Sequence, residues 1–104
     1  MKDLTKVIDT LDSINKVMGC MKEHTYNGIT IKTISTEYIL DESGTTLMID
    51  VENKEHPDYE NRTFIHFSLL LDYLEVKDII MYHYDRMCVE MRINIEKDKG
   101  LQND

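Results

Sequence analysis

Acidic side chains are concentrated in one segment of this chain, where their number and spacing point to a definite chemistry. Eight of the twenty carboxylates lie between residues 37 and 60, where Lys54 is the only Lys or Arg, and the net charge is -8. Clustered carboxylates attract Lys and Arg and repel phosphate. The eight residues are Glu37, Asp41, Glu42, Asp50, Glu52, Glu55, Asp58 and Glu60. They predict a surface that binds a basic protein partner, with the first five residues at its centre.

The same carboxylates have a simpler interpretation, because a net charge of about 2 to 8 keeps an ordinary small domain dispersed. Their distribution argues for a specific surface, since residues 37–60 contribute seven of the eight net negative charges. Alternate residues of a strand lie about 6.6 Å apart on one face, close to two phosphate steps of a nucleic acid. A row of carboxylates with this spacing would imitate a nucleic-acid backbone.

His83 and Cys88 are the residues whose types suit nucleophilic or metal chemistry. A predicted hairpin over residues 78–96 would make them cross-strand neighbours, where an imidazole can activate a thiolate or the two can supply half of a zinc site. Neither site is complete, because no further Cys or His follows at ligand spacing and Cys20 is distant in sequence. An inert, half-buried thiol is the favoured interpretation. We therefore predict no catalytic residue, metal or cofactor.

Sequence motifs of catalytic and nucleotide-binding sites are missing from the chain. It has no P-loop, dinucleotide-binding, zinc-protease, nucleophile-elbow or calcium-loop pattern, and only four glycines to form a phosphate cradle. No basic cluster with interleaved aromatic residues occurs, which argues against direct binding of DNA or RNA. The sequence predicts a non-enzymatic protein. An enzyme would need a pocket lined by His83 and Cys88.

The length and composition bound the class of protein. A chain of 104 residues can bury one core and is too short for two, so we predict a single domain over residues 1–104 with a frayed tail at 97–104. No apolar run approaches the roughly 18 residues of a membrane span, and the N-terminus lacks the hydrophobic stretch of a signal peptide. The two isolated cysteines fit a reducing compartment. These features predict a cytoplasmic protein without a membrane partner.

An N-terminal helix is the first element predicted to position these residues. Apolar side chains recur at three- and four-residue steps from Leu4 to Met21, with charged and polar residues between them. Asp3 can cap the start of the helix, and Gly19 lies where the periodicity weakens. We predict that the helix ends between Val17 and Lys22 and packs its apolar stripe on a sheet.

A β-hairpin is predicted after the turn dipeptide Asn27–Gly28. Residues 29–40 and 45–52 form its strands around a loop at 41–44, and a change of phase near Lys32–Thr33 indicates a bulge. The predicted buried pairs are Leu40–Thr45, Tyr38–Leu47, Thr36–Ile49 and Ile34–Val51. Because side chains alternate along a strand, the opposite face then carries Glu37, Met48, Asp50 and Glu52.

The remaining residues predict the fold class. They comprise a charged loop at 53–62, a strand at 63–67, a short helix at 68–74 that Ser68 starts, and a hairpin of 78–84 and 87–96 around Asp85–Arg86. The predicted order is α-β-β-β-α-β-β. This is an α+β fold in which the long N-terminal amphipathic helix packs on one antiparallel sheet of four to five strands.

Methionines support an alternative function. Met48 and Met81 are predicted to point away from the helix-covered face, where flexible thioether side chains can contact a second subunit. The alternative to a basic-partner binder is therefore a homo-oligomeric structural or interaction subunit that assembles through apolar sheet surface and an open strand edge. A homodimer is its simplest form.

In size, charge and composition the chain resembles the small acidic α+β proteins with which phages and mobile elements oppose host nucleases, including anti-CRISPR and anti-restriction inhibitors. The resemblance implies an inhibitor that acts as a nucleic-acid mimic on the basic surface of a nucleic-acid-handling protein. It covers no diagnostic motif and transfers no functional residue. The leading hypothesis is a non-enzymatic binder whose acidic segment engages Lys and Arg of a protein partner.

Overall fold

The computed structural model describes residues 4–68 and 71–102, which form two helices and a four-stranded antiparallel sheet. In chain order the elements are α1 (Leu4–Gly19), β1 (Glu23–Tyr26), β2 (Ile29–Asp41), β3 (Gly44–Asn53), β4 (Glu60–Phe67) and α2 (Tyr73–Gln102). The strands lie in the spatial order β1-β2-β3-β4, so each strand pairs with the next along the chain. The predicted α+β class and single antiparallel sheet are confirmed, whereas the predicted order of elements differs after β4.

α1 confirms the predicted N-terminal helix, and it ends at Gly19, inside the predicted range. Its buried residues Thr10, Ile14 and Val17 recur at helical spacing. Ile14 and Val17 belong to the hydrophobic core, which shows that the apolar stripe packs inward as predicted. Asp3, the predicted cap, lies outside the described residues.

β1 is a short strand that the sequence pattern did not predict, and it joins β2 through the predicted turn at Asn27–Gly28. Both turn residues have positive φ, 53° and 77°, as a type I′ turn requires. Arg92 of α2 donates from Nη1 to the main-chain and side-chain oxygens of Asn27 at 2.9 and 3.1 Å. These bonds hold the turn against the helix.

The β2–β3 hairpin has the predicted register toward its turn. The confirmed pairings are Leu40–Thr45, Tyr38–Leu47 and Thr36–Ile49. The predicted burial of their β2 members is wrong, because this part of β2 lies beyond β1 at the edge of the sheet and all three residues are exposed. The predicted pair of Ile34 with Val51 is wrong, because Val51 pairs with Thr33 and the register shifts between Thr33 and Ser35. The bulge therefore lies at Ile34, just after the predicted position at Lys32–Thr33. It leaves Ile34 46% exposed.

α2 contradicts the predicted C-terminal hairpin, because residues 78–84 and 87–96 belong to one helix of 30 residues. Its fully buried side chains include Val76, Ile80 and Tyr84. These residues are four apart, a step that fits alternate strand positions as well as one helix face. The three-residue step from Tyr84 to buried Met87 breaks strand alternation and so predicted a turn, yet it is an ordinary helical step.

The start of α2 differs from the short helix predicted at 68–74. Ser68 and Asp72 are not helical, residues 69–70 lie outside the described residues, and α2 begins at Tyr73. Asp72 caps the helix, since its Oδ1 accepts a hydrogen bond from the Glu75 amide at 2.9 Å. The helix therefore starts from an aspartate and not from Ser68.

β4 and α2 both extend further than predicted. β4 confirms the strand predicted at 63–67 but begins at Glu60. Residues 97–102, predicted to fray, continue α2, and the Tyr59 hydroxyl donates to Asp98 Oδ2 at 2.7 Å. The last two residues of the predicted tail lie outside the described residues.

Both helices cover the same face of the sheet. The Tyr38 hydroxyl donates to Asn15 Oδ1 of α1 at 2.6 Å, and Thr63 Oγ1 lies 3.0 Å from His83 Nδ1 of α2. In the observed register Tyr38 and Thr63 share that face with the buried residues Leu47, Ile49, Val51, Ile65 and Phe67. The core therefore lies between one sheet face and two helices.

Candidate functional site on the open face of the sheet

The sheet face opposite the helices is covered by no described element, and we call it the open face. It consists of the side chains that alternate with the helix-covered positions. They are Glu23 and Thr25 on β1, Thr30, Lys32, Ser35, Glu37, Ile39 and Asp41 on β2, Thr46, Met48, Asp50 and Glu52 on β3, and Glu60, Arg62, Phe64 and His66 on β4. The four residues that the sequence assigned to this face all lie on it.

Six carboxylates occupy strand positions of the open face, at Glu23, Glu37, Asp41, Asp50, Glu52 and Glu60. Asp50 and Glu52 are alternate residues of β3, so their Cα atoms are about 6.6 Å apart. Glu60 pairs directly with Glu52 across β3 and β4, and Glu37 lies on β2. Directly opposed like charges destabilise a sheet, and Lys32, which pairs with Glu52 from β2, offsets this repulsion.

Asp50 is neutralised within the chain by Arg62. The guanidinium donates from Nε and Nη2 to both carboxylate oxygens at 2.5 and 3.0 Å, and the Ser35 hydroxyl donates to Oδ2 at 2.9 Å. The hydrogen bond from Arg62, supported by that from Ser35, lowers the pKa of Asp50 below its ordinary value. Since only 18% of the Asp50 side chain is exposed, this carboxylate stabilises the sheet and offers little to a partner.

Glu37, Glu52 and Glu60 are the free carboxylates of the open face. Their side chains form no hydrogen bond or close ion pair with another described residue, and Glu37 interacts electrostatically with the Arg62 guanidinium, whose pKa it helps to raise. They lie on three adjacent strands, which are about 4.8 Å apart. Glu37 and Glu60 are exposed, and Glu52 is half-buried. These three residues are the part of the predicted acidic surface that can attract Lys and Arg of another molecule.

Exposed apolar side chains lie beside these carboxylates, a feature that the sequence interpretation missed. Phe64 is 57% exposed, Ile39 51% and Ile34, at the bulge, 46%. Strand alternation could have predicted the exposure of Phe64, because Phe64 directly precedes the buried Ile65 and therefore points to the opposite face. Met48 pairs with Phe64 and is 7% exposed, so its neighbours shield it.

Met81, the other methionine predicted at an oligomer contact, lies far from Met48. It is a half-buried residue of α2 and packs against the core. Since α2 covers the opposite face of the sheet, the structure does not bring the two methionines onto one surface. The exposed apolar area of the open face comes instead from Phe64, Ile39 and Ile34.

A depression of about 420 Å³ lies at the bulge on the open face. Its lining residues are Ile34, Asp50, Val51, Glu60, Asn61 and Arg62. Ile34 provides an apolar wall, and Glu60 provides a carboxylate without a partner among the described residues. A Lys or Arg side chain combines an apolar stem with a charged head, which is the combination that such a depression accommodates.

The other four predicted acidic residues lie at the two ends of the sheet. Asp41, at the β2–β3 turn beside Glu42, accepts hydrogen bonds from the Ser43 hydroxyl and amide at 2.6 and 2.7 Å, which lower its pKa. Glu55 and Asp58 are exposed in the β3–β4 loop. Because β3 spans ten residues, about 33 Å, the eight carboxylates follow the length of the hairpin instead of forming one cluster.

His83 and Cys88 do not form the predicted cross-strand pair, because both lie on α2. The Cys88 thiol donates to the Ile29 carbonyl at 3.7 Å, and burial raises its pKa to about 11. His83 lies 3.0 Å from Thr63 through Nδ1, and burial lowers its pKa. A thiol with this pKa is protonated at neutral pH, which makes it a poor nucleophile. Cys20 is exposed and free.

Comparisons with protein-family models, curated proteins and solved structures find no match to this chain. In residues 4–68 and 71–102, no group of three or more His, Cys, Asp or Glu side chains is arranged to hold a metal ion. Neither helix within these ranges combines the length and the apolar character that crossing a membrane requires. The geometry and charge of the open face are therefore the basis for a functional proposal.

Proposed function

We propose that this chain is a non-enzymatic binding protein whose open face engages a basic surface of a partner protein. The observation that supports the proposal is the juxtaposition of free carboxylates at Glu37, Glu52 and Glu60 with exposed Phe64 and Ile39. Exposed apolar residues rimmed by polar ones are typical of protein interaction sites. No described element of the chain covers them.

The sign of the charge selects the kind of partner. The strands of the open face carry two cations, Lys32 and Arg62, and the loops at the ends of the hairpin carry further acids. Against these cations stand six carboxylates, at Glu23, Glu37, Asp41, Asp50, Glu52 and Glu60. Such a surface repels nucleic acid and attracts Lys and Arg. The stems of those side chains can pack on Phe64 and Ile39 while their charges meet the glutamates.

A nucleic-acid-handling protein is the partner class that best fits this surface. Its binding groove is lined with Lys and Arg that ordinarily contact phosphates. The unpaired carboxylates of Glu37, Glu52 and Glu60 can take the place of phosphates in such a groove. The chain would then act as an inhibitor that occupies the groove in place of nucleic acid. Because exposed charges are screened by salt, complex formation should weaken as ionic strength rises.

Charge reversal tests the proposal. Glu37→Lys, Glu52→Lys and Glu60→Lys together should abolish capture of a basic protein from cell lysate by the immobilised chain, with at least a tenfold loss of affinity when the captured protein is purified and titrated. The wild-type interaction should also be lost at roughly 0.5 M salt, where screening is nearly complete over a few ångströms. Quantitative mass spectrometry of the bound fractions measures the capture.

A matched variant controls for net charge alone. Asp9→Lys, Asp12→Lys and Asp78→Lys change the charge by the same amount at exposed positions of the helices. This control variant should retain the partner. Equal loss in both variants would show that binding depends only on overall charge, and retention by both would exclude the open face.

A further inference from the structure

The outer edge of β4 carries main-chain groups that do not bond to β3. The Asn53 amide donates to the Tyr59 carbonyl at 2.9 Å, and hydrogen-bonded pairs alternate along an antiparallel ladder. The odd-numbered residues of β4 therefore bond to β3, and the even-numbered residues direct their main-chain groups outward. In agreement, the Arg62 amide donates to its neighbouring Asn61 side chain at 2.8 Å.

This edge has few of the features that prevent strands from pairing with other chains. β4 is eight residues long and contains neither proline nor lysine. Natural proteins usually block such an edge with charge, proline, a bulge or a covering segment. The register of β4 against β3 is regular throughout, so no bulge twists the edge away. A free, regular edge of this length is suited to accept another strand.

We infer that β4 pairs antiparallel with β4 of a second copy of this chain, about a two-fold axis through Thr63. In this register Glu60 faces His66 of the second copy, and Arg62 faces Phe64 of the second copy. By symmetry each contact occurs twice. The four outward-facing residues exchange about eight main-chain hydrogen bonds, since each facing pair contributes two.

The side-chain pairs of this register are mutually attractive. His66 Nδ1 lies 3.1 Å from Thr46 Oγ1. When the Thr46 hydroxyl donates to Nδ1, Nε2 carries the ring proton and can donate to a glutamate carboxylate. Arg62 is held by its two hydrogen bonds to Asp50, and its guanidinium can lie over the exposed ring of Phe64 in the second copy.

Neighbouring registers lack this complementarity. An axis through Phe64 places Arg62 opposite His66, so that two hydrogen-bond donors face each other without an acceptor. An axis through Arg62 places the two arginines opposite each other and Glu60 opposite Phe64. Like charges in directly opposed positions destabilise a strand pair. Overlap excludes the axis through Asn61, which opposes Glu60 and Arg62 but pairs only two of the four outward-facing residues of β4. Charge and overlap together therefore select the axis through Thr63.

On the opposite side of the sheet β1 covers β2 only as far as Lys32, and the free edge of the rest of β2 is less suited to self-pairing. The open-face residues beyond the bulge are Ser35, Glu37, Ile39 and Asp41. They include two carboxylates and no cation, so no register of that strand with itself gains an attractive charge pair. A second copy is therefore expected at β4. The free edge of β2 serves as an internal reference when amide hydrogen exchange is measured.

The inferred dimer does not depend on the proposed function, but dimerisation would change the surface that a partner protein contacts. A two-fold axis perpendicular to the sheet joins the two sheets of four strands into one of eight and places both open faces on the same side. Glu37 and Glu52 of both copies then lie on one side of the joined sheet, with Glu60 at the seam. A long basic groove would then contact both copies.

Sedimentation velocity of the full chain tests the inference. The wild-type chain should dimerise with rising concentration, and His66→Glu should weaken the dimer at least tenfold because it places two pairs of carboxylates in direct opposition. Glu60→Lys combined with His66→Glu should restore dimerisation, since both pairs are again of opposite charge. His56→Glu, the same change in the exposed β3–β4 loop, should have no effect.

Amide hydrogen exchange gives a second readout that does not depend on a variant. The Phe64 amide, which points outward, should exchange slowly at high protein concentration and rapidly at low concentration. The Tyr38 amide on the free edge of β2 should remain fast at both. A wild-type chain that stays monomeric near 1 mM, dimerisation unchanged in His66→Glu, or Phe64 exchange independent of concentration would each overturn the inference.

Discussion

Thr33 connects the bulge of β2, the end of α1 and the centre of α2 through one hydroxyl. Its Oγ1 donates to the Met21 carbonyl at 2.5 Å, and the hydroxyl of fully buried Tyr84 lies 2.6 Å from the same oxygen. Because the Thr33 proton is used by Met21, the Tyr84 hydroxyl must be the donor to Thr33. Burial raises the pKa of Tyr84 to about 12, which keeps this donor protonated at neutral pH.

This direction of the hydrogen bonds predicts unequal effects of two substitutions. Tyr84→Phe removes one donor and should lower the free energy of unfolding by about 1 kcal/mol. Thr33→Val leaves the buried Tyr84 hydroxyl without its acceptor and the Met21 carbonyl without its donor, so it should cost about 2 to 4 kcal/mol. Urea unfolding of the two variants measures the difference. A larger loss in Tyr84→Phe would contradict the assigned direction.

At the scale of elements, α1 and the β2–β3 hairpin could be predicted from the sequence because their patterns have a single interpretation. Helical spacing in α1 fits no strand, and the Asp41–Gly44 turn sets the register of the residues beside it. The open-face positions of Glu37, Asp50 and Glu52 follow from that register. Pattern and turn chemistry agree here, and the structure has three of the four predicted pairs.

α2 could not be predicted in the same way, because its buried residues are mostly four apart and four is a multiple of both periods. The better signals were the absence of Gly or Pro at Asp85–Arg86 and the i, i+4 pairs Arg86–Glu90 and Arg92–Glu96, which join at 2.9 and 3.0 Å. The wrong interpretation placed two strands where the structure has one helix. It also left the exposure of Phe64 unpredicted, since a helix on one face leaves the other face of β4 open.

The β2–β3 turn depends on Gly44. Its φ is +140°, and a Cβ at this position would lie 2.1 Å from the Phe67 carbonyl oxygen. Gly44→Ala should therefore lower the free energy of unfolding by at least about 2 kcal/mol. Gly19→Ala, where a Cβ would meet nothing within 4 Å, should change it by less than about 1 kcal/mol. Equal stability of the two variants in urea would refute this account of the turn.

At the scale of the whole molecule, the architecture is one-sided. Two helices occupy one face of the sheet, and the particle extends 61 × 22 × 18 Å, with its carboxylates distributed along the hairpin. One face forms the core, and the other combines Glu37, Glu52 and Glu60 with exposed Phe64 and Ile39. Stability and recognition are thus assigned to opposite faces of the same strands, so substitutions on the open face should alter binding while the fold persists.

Site-specific photo-crosslinking tests the central claim most directly. A benzophenone amino acid is placed at Phe64 on the open face or at Tyr82 of α2, an aromatic residue of similar exposure, 61% against 57%. In cell lysate at low salt, position 64 should crosslink to a basic protein with a mass different from that of this chain, and the yield should fall at high salt. Position 82 should give no such product. Equal crosslinking at both positions, or the absence of a basic partner protein from the products of position 64, would contradict the account.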